Sequence, residues 1–372
     1  LNWNETFKKL HTSEESKNIK SSSYRRLVFD EICANFLTLS EFRKRIKKKK
    51  KIKYFTNKFS EKIVKNLPFE LTKSQINVLD EINLDLTSNN RMFRIIQGDV
   101  GSGKTIISLL SIANVIESNY QCALMSPTEI LSSQHYVLAK KIFKNNQFRI
   151  EFLTGKTEFK KRIQILKDLK DGKIDLLIGT HALFQKKIDF KNLGFVIIDE
   201  QHKFGVKQRL ELAKKGGDNC DVLLMSATPI PRTMMMSLYG DMDISKITEK
   251  PKNRKKIITL SKPEKKINEL WMFIRKQIKN RNQIFWVCPL IEESKFLDYA
   301  SAKKKFDLIN KKFPGAVGLI HGGLSKDEKN KVLKDFLQNK ISILVSTTVI
   351  EVGIDFPNAN TIIIENANKF GL

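Results

Sequence analysis

Eight consecutive residues, Gly98, Asp99, Val100, Gly101, Ser102, Gly103, Lys104 and Thr105, carry the spacing G-x-x-x-x-G-K-[ST]. Glycines let such a loop fold back so that its N–H groups converge on phosphate oxygens. The apolar run 93–97 leads in as a strand, and 106–116 leads out as a buried helix whose N-terminal partial charge adds at the same point. In that setting Lys104 holds the β- and γ-phosphates of a nucleotide, and the Thr105 hydroxyl binds Mg²⁺. A second pair of chemistry-bearing residues, Asp199 and Glu200, ends the apolar run 195–198. A carboxylate at a strand end opposite a phosphate loop can hold the metal, and its neighbour can orient and deprotonate water. Asp199 is expected to take the first role and Glu200 the second.

Both features need a sheet to hold them. From residue 67 to about 249, short apolar runs at 93–97, 121–126, 149–153, 175–179, 195–199 and 222–226 alternate with amphipathic helical stretches. Strands rich in Val, Ile and Leu with helical crossovers predict an α/β fold, its parallel sheet covered on both faces. Ligands bind such sheets at the carboxyl ends of the strands. Polar strings fall at those ends: Ser126-Pro127-Thr128, Gly179-Thr180-His181, Asp199-Glu200 and Ser226-Ala227-Thr228. A polar, Pro-containing break over 250–256 reads as a linker. A second α/β pattern follows, with strands at 284–288, 316–320, 341–345 and 361–365 and helices at about 264–280, 293–312 and 325–339. It has no phosphate loop of its own, and its sheet is expected to be incomplete because the chain stops just after a strand. The expected layout is a basic helical segment over 1–65, a nucleotide-binding domain over 66–250 and a second domain over 251–372.

The composition narrows the class. At 41% apolar and 29% charged residues, the 372-residue chain is of globular type. No apolar run approaches membrane-span length, and the first residues hold no signal-peptide core. Cys33, Cys122, Cys220 and Cys288 lie far apart, which argues against a zinc site and for a reducing, cytoplasmic setting. A formal net charge of +27 calls for an anionic partner, most economically nucleic acid. Residues 1–65 carry 18 Lys/Arg against 7 Asp/Glu. Within them Leu27, Phe29, Ile32, Phe36 and Leu39 have helical spacing, and the helix runs into a lysine run over 47–51. That run is expected to be a solvated helix end or tether, with direct phosphate contact as the other reading.

The motifs, taken in order, resemble a known family. Asp199-Glu200-Gln201-His202 is similar to the second motif of superfamily 2 helicases, in which Gln201 and His202 would couple nucleotide state to the rest of the motor. Ser226-Ala227-Thr228 resembles the motif linking hydrolysis to strand movement. Pro127-Thr128, Thr154-Gly155, Thr180-His181 and His321 fall where such proteins hold a nucleic-acid backbone, as do Thr347 and Thr348. The stretch Thr347 to Asp355 touches both backbone and nucleotide in the family, with Gly353 and Asp355 on the nucleotide side. Upstream, 67–75 resembles the adenine-recognition segment. Gln75 would pair with the adenine edge and Phe69 would stack on its face.

The longer strings 197–209, 227–233, 287–294 and 364–372 are similar to the RecG family of branch-migration helicases. The resemblance implies two RecA-like domains in tandem, ATP with Mg²⁺, and a monomeric, cytoplasmic, nucleoid-associated motor on stalled forks and Holliday junctions. The family's wedge barrel and its arginine-bearing sixth motif lie outside these residues, so weak turnover is expected of residues 1–372 alone. Two alternatives stand beside this. One is a transcription–repair coupling translocase, whose second motif reads Asp-Glu-Glu-Gln and whose loop has an aromatic where Ser102 stands. The other is a nucleotide- and DNA-binding chain with little catalysis.

Overall fold

The computed structural model describes residues 2–12, 20–46, 49–185, 187–200, 215–228, 242–249, 256–289, 295–347 and 354–370. The chain divides into two compact units, residues 1–127 with 135–252, and residues 128–134 with 253–372.

The first unit is built on a seven-stranded sheet. Its strands are β1 (Phe93–Gly98), β2 (Gln121–Met125), β3 (Ile150–Leu153), β4 (Leu176–Gly179), β5 (Leu193–Ile198), β6 (Asp221–Ser226) and β7 (Asp243–Ile247). They lie in the order β3-β4-β2-β5-β6-β1-β7, and every pairing is parallel. β2, β5 and β6 are buried along their whole length, as expected for strands covered on both faces. Two apolar clusters, one around Ile96, Leu124 and Ile197 and one around Ile95, Ala123 and Val196, pack on alternate strand positions and so on opposite faces.

Helix α1 (Trp3–Thr12) packs on α2 (Ser22–Ile46). The apolar stripe expected on α2 is largely on the surface, with Phe29, Ile32 and Phe36 exposed. The short helix α3 (Lys58–Lys65) and α4 (Lys73–Leu86) both pack on α5 (Lys104–Glu117). α5 is apolar nearly all round because it is sandwiched between the sheet and these helices. Asn114, buried on α5, donates to both Asn57 Oδ1 and Asn83 Oδ1 at 2.9 Å, which joins all three helices. Further along come α6 (Glu129–Ile142) and α7 (Phe159–Lys170).

The lysine run is exposed at Lys49 and Lys51, as expected, and departs from expectation at Lys50, which is joined by Lys53 just beyond the run. Lys50 and Lys53 are buried, and their Nζ atoms lie 2.7 and 2.6 Å from Asp221 Oδ2 at the start of β6. These two lysines are neither a solvated tether nor a phosphate contact. They fasten residues 49–56 to the amino end of the sheet. Strand β7 was not expected either. Asp-Ile-Ser-Lys-Ile gives little apolar signal because, among the described residues, it is an edge strand paired to β1 alone.

The second unit holds α8 (Ile267–Lys279), β8 (Gln283–Val287), α9 (Lys295–Lys312), β9 (Val317–Ile320), α10 (Lys326–Leu337), β10 (Ile343–Ser346) and β11 (Ala359–Ile364). Its parallel sheet has the order β11-β8-β10-β9. Trp271 stacks on Trp286 with 5.4 Å between ring centroids, at the centre of one face. Ser325 and Glu328 close a capping box at the start of α10, the signal by which the sequence starts that helix.

Candidate nucleotide-binding site

β1 delivers the chain to Gly98, where a Cβ would lie 2.6 Å from Ser102 Oγ and 3.2 Å from Ile247 Cβ. The loop then turns, with the Ser102 N–H donating to Asp99 O at 3.1 Å. Gly103 has φ +94°, a left-handed conformation that L side chains rarely adopt, and a Cβ there would meet Gln75 Nε2 at 2.3 Å. Gly103 caps α5 without a side chain, so the helix's first N–H groups are left for an anion. Ser102 Oγ is buried with no hydrogen-bond partner among the described residues. A buried hydroxyl inside a loop of this shape suits a phosphate oxygen.

Lys104 lies folded over the loop, donating to Gly98 O at 2.6 Å and Asp99 O at 3.0 Å. Burial pushes its ammonium pKa down, and the carboxylates of Asp199, Glu200 and Asp99 pull it partly back. The lysine is therefore in electrostatic reach of the two acidic residues that the sequence singles out. Thr105 follows it, half-buried.

Asp199 leaves the end of β5, its N–H donating to Met125 O at 2.8 Å. Its Oδ1 accepts the Glu200 N–H at 2.9 Å, and its Oδ2 lies 2.8 Å from His135 Nε2 on α6. Glu200 is buried and has φ +47°. A non-glycine residue held there costs on the order of 1 kcal/mol, and such strain concentrates at functional sites. The strand order β5-β6-β1 puts the end of β6 between the phosphate loop and Asp199. Ser226 and Thr228 stand at that end, with Ser226 Oγ 3.1 Å from both Thr228 O and Thr228 Oγ1 and Ala227 between them.

Gln75 does two jobs. Its amide oxygen accepts the Thr72 N–H at 2.8 Å while Thr72 Oγ1 accepts the Gln75 N–H at 3.2 Å, closing a capping box on α4. Its Nε2 donates to Ser102 O at 2.8 Å. The amide expected to read adenine is thus engaged with the phosphate loop and its own helix. Phe69 is exposed in a groove with Pro68, Leu71 and Ile76.

The remaining candidates of the first unit sit at the same edge of the sheet. Pro127 follows β2. Thr154, after β3, accepts the Lys156 N–H at 3.2 Å on Oγ1, and Gly155 has open space around it. Thr180 is buried after β4, and His181 is exposed beside it. In the second unit, Thr128 Oγ1 accepts the Leu131 N–H at 3.3 Å. His321 follows β9 and accepts the Gly323 N–H at 3.1 Å on Nδ1, and burial lowers its pKa. Thr347 follows β10 and is buried, its Oγ1 unpartnered among the described residues. Asp355 belongs to that unit too. Gln201, His202, Thr348 and Gly353 lie outside the described residues.

Sequence reasoning missed His135. A lone histidine on an amphipathic helix carries no signal until the fold sets it against a strand end. Among the described residues no group of three or more His, Cys, Asp or Glu could hold a metal. The four cysteines are unpaired, and burial raises the Cys220 and Cys288 thiols to about 12. No helix among the described residues is long and apolar enough to cross a membrane.

Comparison with known proteins fits this geometry. Residues 72–237 match the DEAD/DEAH box helicase family, and residues 262–370 match the helicase conserved C-terminal domain. The chain is 45% identical over 350 residues to ATP-dependent DNA helicase RecG of Thermotoga maritima, covering 93% of this chain and 45% of that protein. It is 42% identical over 372 residues to the Bacillus subtilis RecG, covering 99% of this chain and 54% of the relative. The chain thus spans about half the length of the curated relatives it matches. A solved structure of RecG bound to a three-way DNA junction aligns with TM-score 0.80 and 39% identity, over 91% of this chain and 45% of that one. The expected fold is borne out, with two RecA-like helicase domains on parallel sheets, and over most of its length the chain is similar to the RecG DNA helicases.

Proposed function

We propose that the protein is a cytoplasmic, ATP-driven motor that moves duplex DNA at branch points such as stalled forks and Holliday junctions. The observation that carries the reading is the convergence of the glycine loop, Lys104, Asp199 and Glu200 at one edge of the first sheet. The branched substrate rests on the likeness to RecG bound to a three-way junction.

In this reading the N–H groups of residues 98–105 cradle the ATP phosphates, and Lys104 exchanges the Gly98 and Asp99 carbonyls for the β- and γ-phosphates. Thr105 and Asp199 would hold Mg²⁺, which when bound supplies charge neutralisation at the phosphates. The residues fit that ion. Each Asp199 oxygen keeps a lone pair beyond its one hydrogen bond, and Mg²⁺ at phosphates commonly takes one or two protein ligands with the remainder from phosphate and water. Glu200, buried and with a left-handed backbone, orients the attacking water and accepts its proton. Ser226 and Thr228, between the two catalytic strand ends, are placed to carry a change at the phosphate to the next strand. Pro127, Thr128, Thr154, Gly155, Thr180, His181, His321, Thr347 and Thr348 hold the DNA backbone. Gln201, His202, Gly353 and Asp355 act with the nucleotide, Phe69 acts at its base, and Gln75 supports the phosphate loop through Ser102.

The test is ATP hydrolysis measured with a three-way junction and with an unbranched duplex of equal length. Greater stimulation by the junction is expected, and Glu200→Gln should abolish it. Equal stimulation by both DNAs would refute the branch-specific reading, and DNA and nucleotide binding without turnover would favour a binding role.

A further inference from the structure

We infer that His135 is a positioning residue for the carboxylate of Asp199, an inference that rests on the ATP–Mg²⁺ reading above. His135 sits on α6, and its side chain is 6% exposed, against 8% for that of Asp199. The 2.8 Å contact joins Nε2 to Oδ2. A carboxylate can only accept, so Nε2 carries the proton. The other oxygen, Oδ1, takes the main-chain N–H of Glu200 at 2.9 Å.

The two donors come from different elements, one from the strand end itself and one from a helix packed beside it. Together they fix the rotation of a carboxylate whose terminal torsion is otherwise broad. A single main-chain donor on Oδ1 leaves that rotation free. A ligand carboxylate held in one orientation binds its metal without first being ordered. Loss of such an outer hydrogen bond typically costs about 10- to 100-fold in metal affinity. Mere satisfaction of a buried histidine accounts for the contact equally well in geometry, but it predicts no effect on metal.

The experiment separates the two with a fluorescent ATP analogue, titrated first in EDTA and then at rising Mg²⁺. The variants are His135→Leu, which has no donor, and His135→Gln, which offers an amide N–H at similar reach. His135→Met replaces the Leu variant if that fails to melt cooperatively. In EDTA all variants should bind the analogue like the wild type. With Mg²⁺, the Leu variant should need roughly 10-fold more metal for half-maximal binding, and Gln should restore most of the loss. Unchanged metal dependence in the Leu and Met variants overturns the inference. So does a loss that is equal in EDTA and in Mg²⁺, or a Gln variant no better than Leu. If the wild type itself shows no metal-dependent gain, the ATP–Mg²⁺ reading falls and takes this inference with it. If the wild type gains and the Leu variant gains equally, only the role of His135 falls.

Discussion

Lys53 Nζ lies 2.6 Å from Asp221 Oδ2, and neither side chain has any solvent exposure. Lys50 shares the same carboxylate, and the Met92 N–H donates to its Oδ1 at 2.6 Å. Asp221 thus bonds to two buried ammoniums and to the entry of β1. Removing one partner of a buried pair leaves an uncompensated charge, which costs about 3–5 kcal/mol. Asp221→Ala should therefore lose at least that much stability in urea unfolding. A loss under about 1 kcal/mol would mean that water reaches the cluster.

The same cluster has a pH signature. Burial lowers the Lys50 pKa below its ordinary 10.5, against the pull of Asp221. Between that lowered pKa and 10.5 the unfolded chain holds more protons than the folded one, so stability rises with pH across the window. The cost of burying the charged amine is fully present below the window and is relieved within it. Urea midpoints taken from pH 7 to 10 should give wild type a more positive slope than Lys50→Met. Parallel slopes would show that Lys50 keeps its proton throughout.

These lysines also mark the limit of what the chain discloses by itself. Apart from the edge strand β7, the strands of both sheets were readable because buried parallel strands are runs of Val, Ile and Leu, and the loop was readable because its chemistry is local. Lys50 looked like part of a solvated run because its partner, Asp221, is 171 residues away. Gln75 illustrates a second limit. Its spacing from Thr72 is that of a capping box as well as of an adenine contact, and the fold uses the first while also tying Gln75 to Ser102. His135 had no periodic or motif signal, since its role depends on where α6 passes β5.

At the loop, Lys104→Ala removes the ammonium that now rests on the Gly98 and Asp99 carbonyls. Charge-assisted hydrogen bonds are worth about 1.5–3 kcal/mol each, so nucleotide affinity should fall on the order of 100-fold. DNA affinity in the absence of nucleotide should be unchanged. Equal loss of both would argue that the loop and the DNA contacts are not separate sites.

Salt provides the last test, because the charge of +27 is not all available to DNA. Each phosphate contact releases a counterion, and about four contacts would weaken binding on the order of 100-fold between 50 and 200 mM salt. Lys50 and Lys53 are spent on Asp221 inside the first unit, so Lys50→Met should leave the slope of affinity against salt unchanged. Lys156 is exposed beside Gly155 at the carboxyl end of β3, where a backbone contact is proposed. Its change to Ala should reduce that slope by about one. A flat salt response in the wild-type chain would mean that the positive charge is solvated surface. A slope altered by Lys50→Met and not by Lys156→Ala would move the DNA from the carboxyl edge of the sheet to its amino edge.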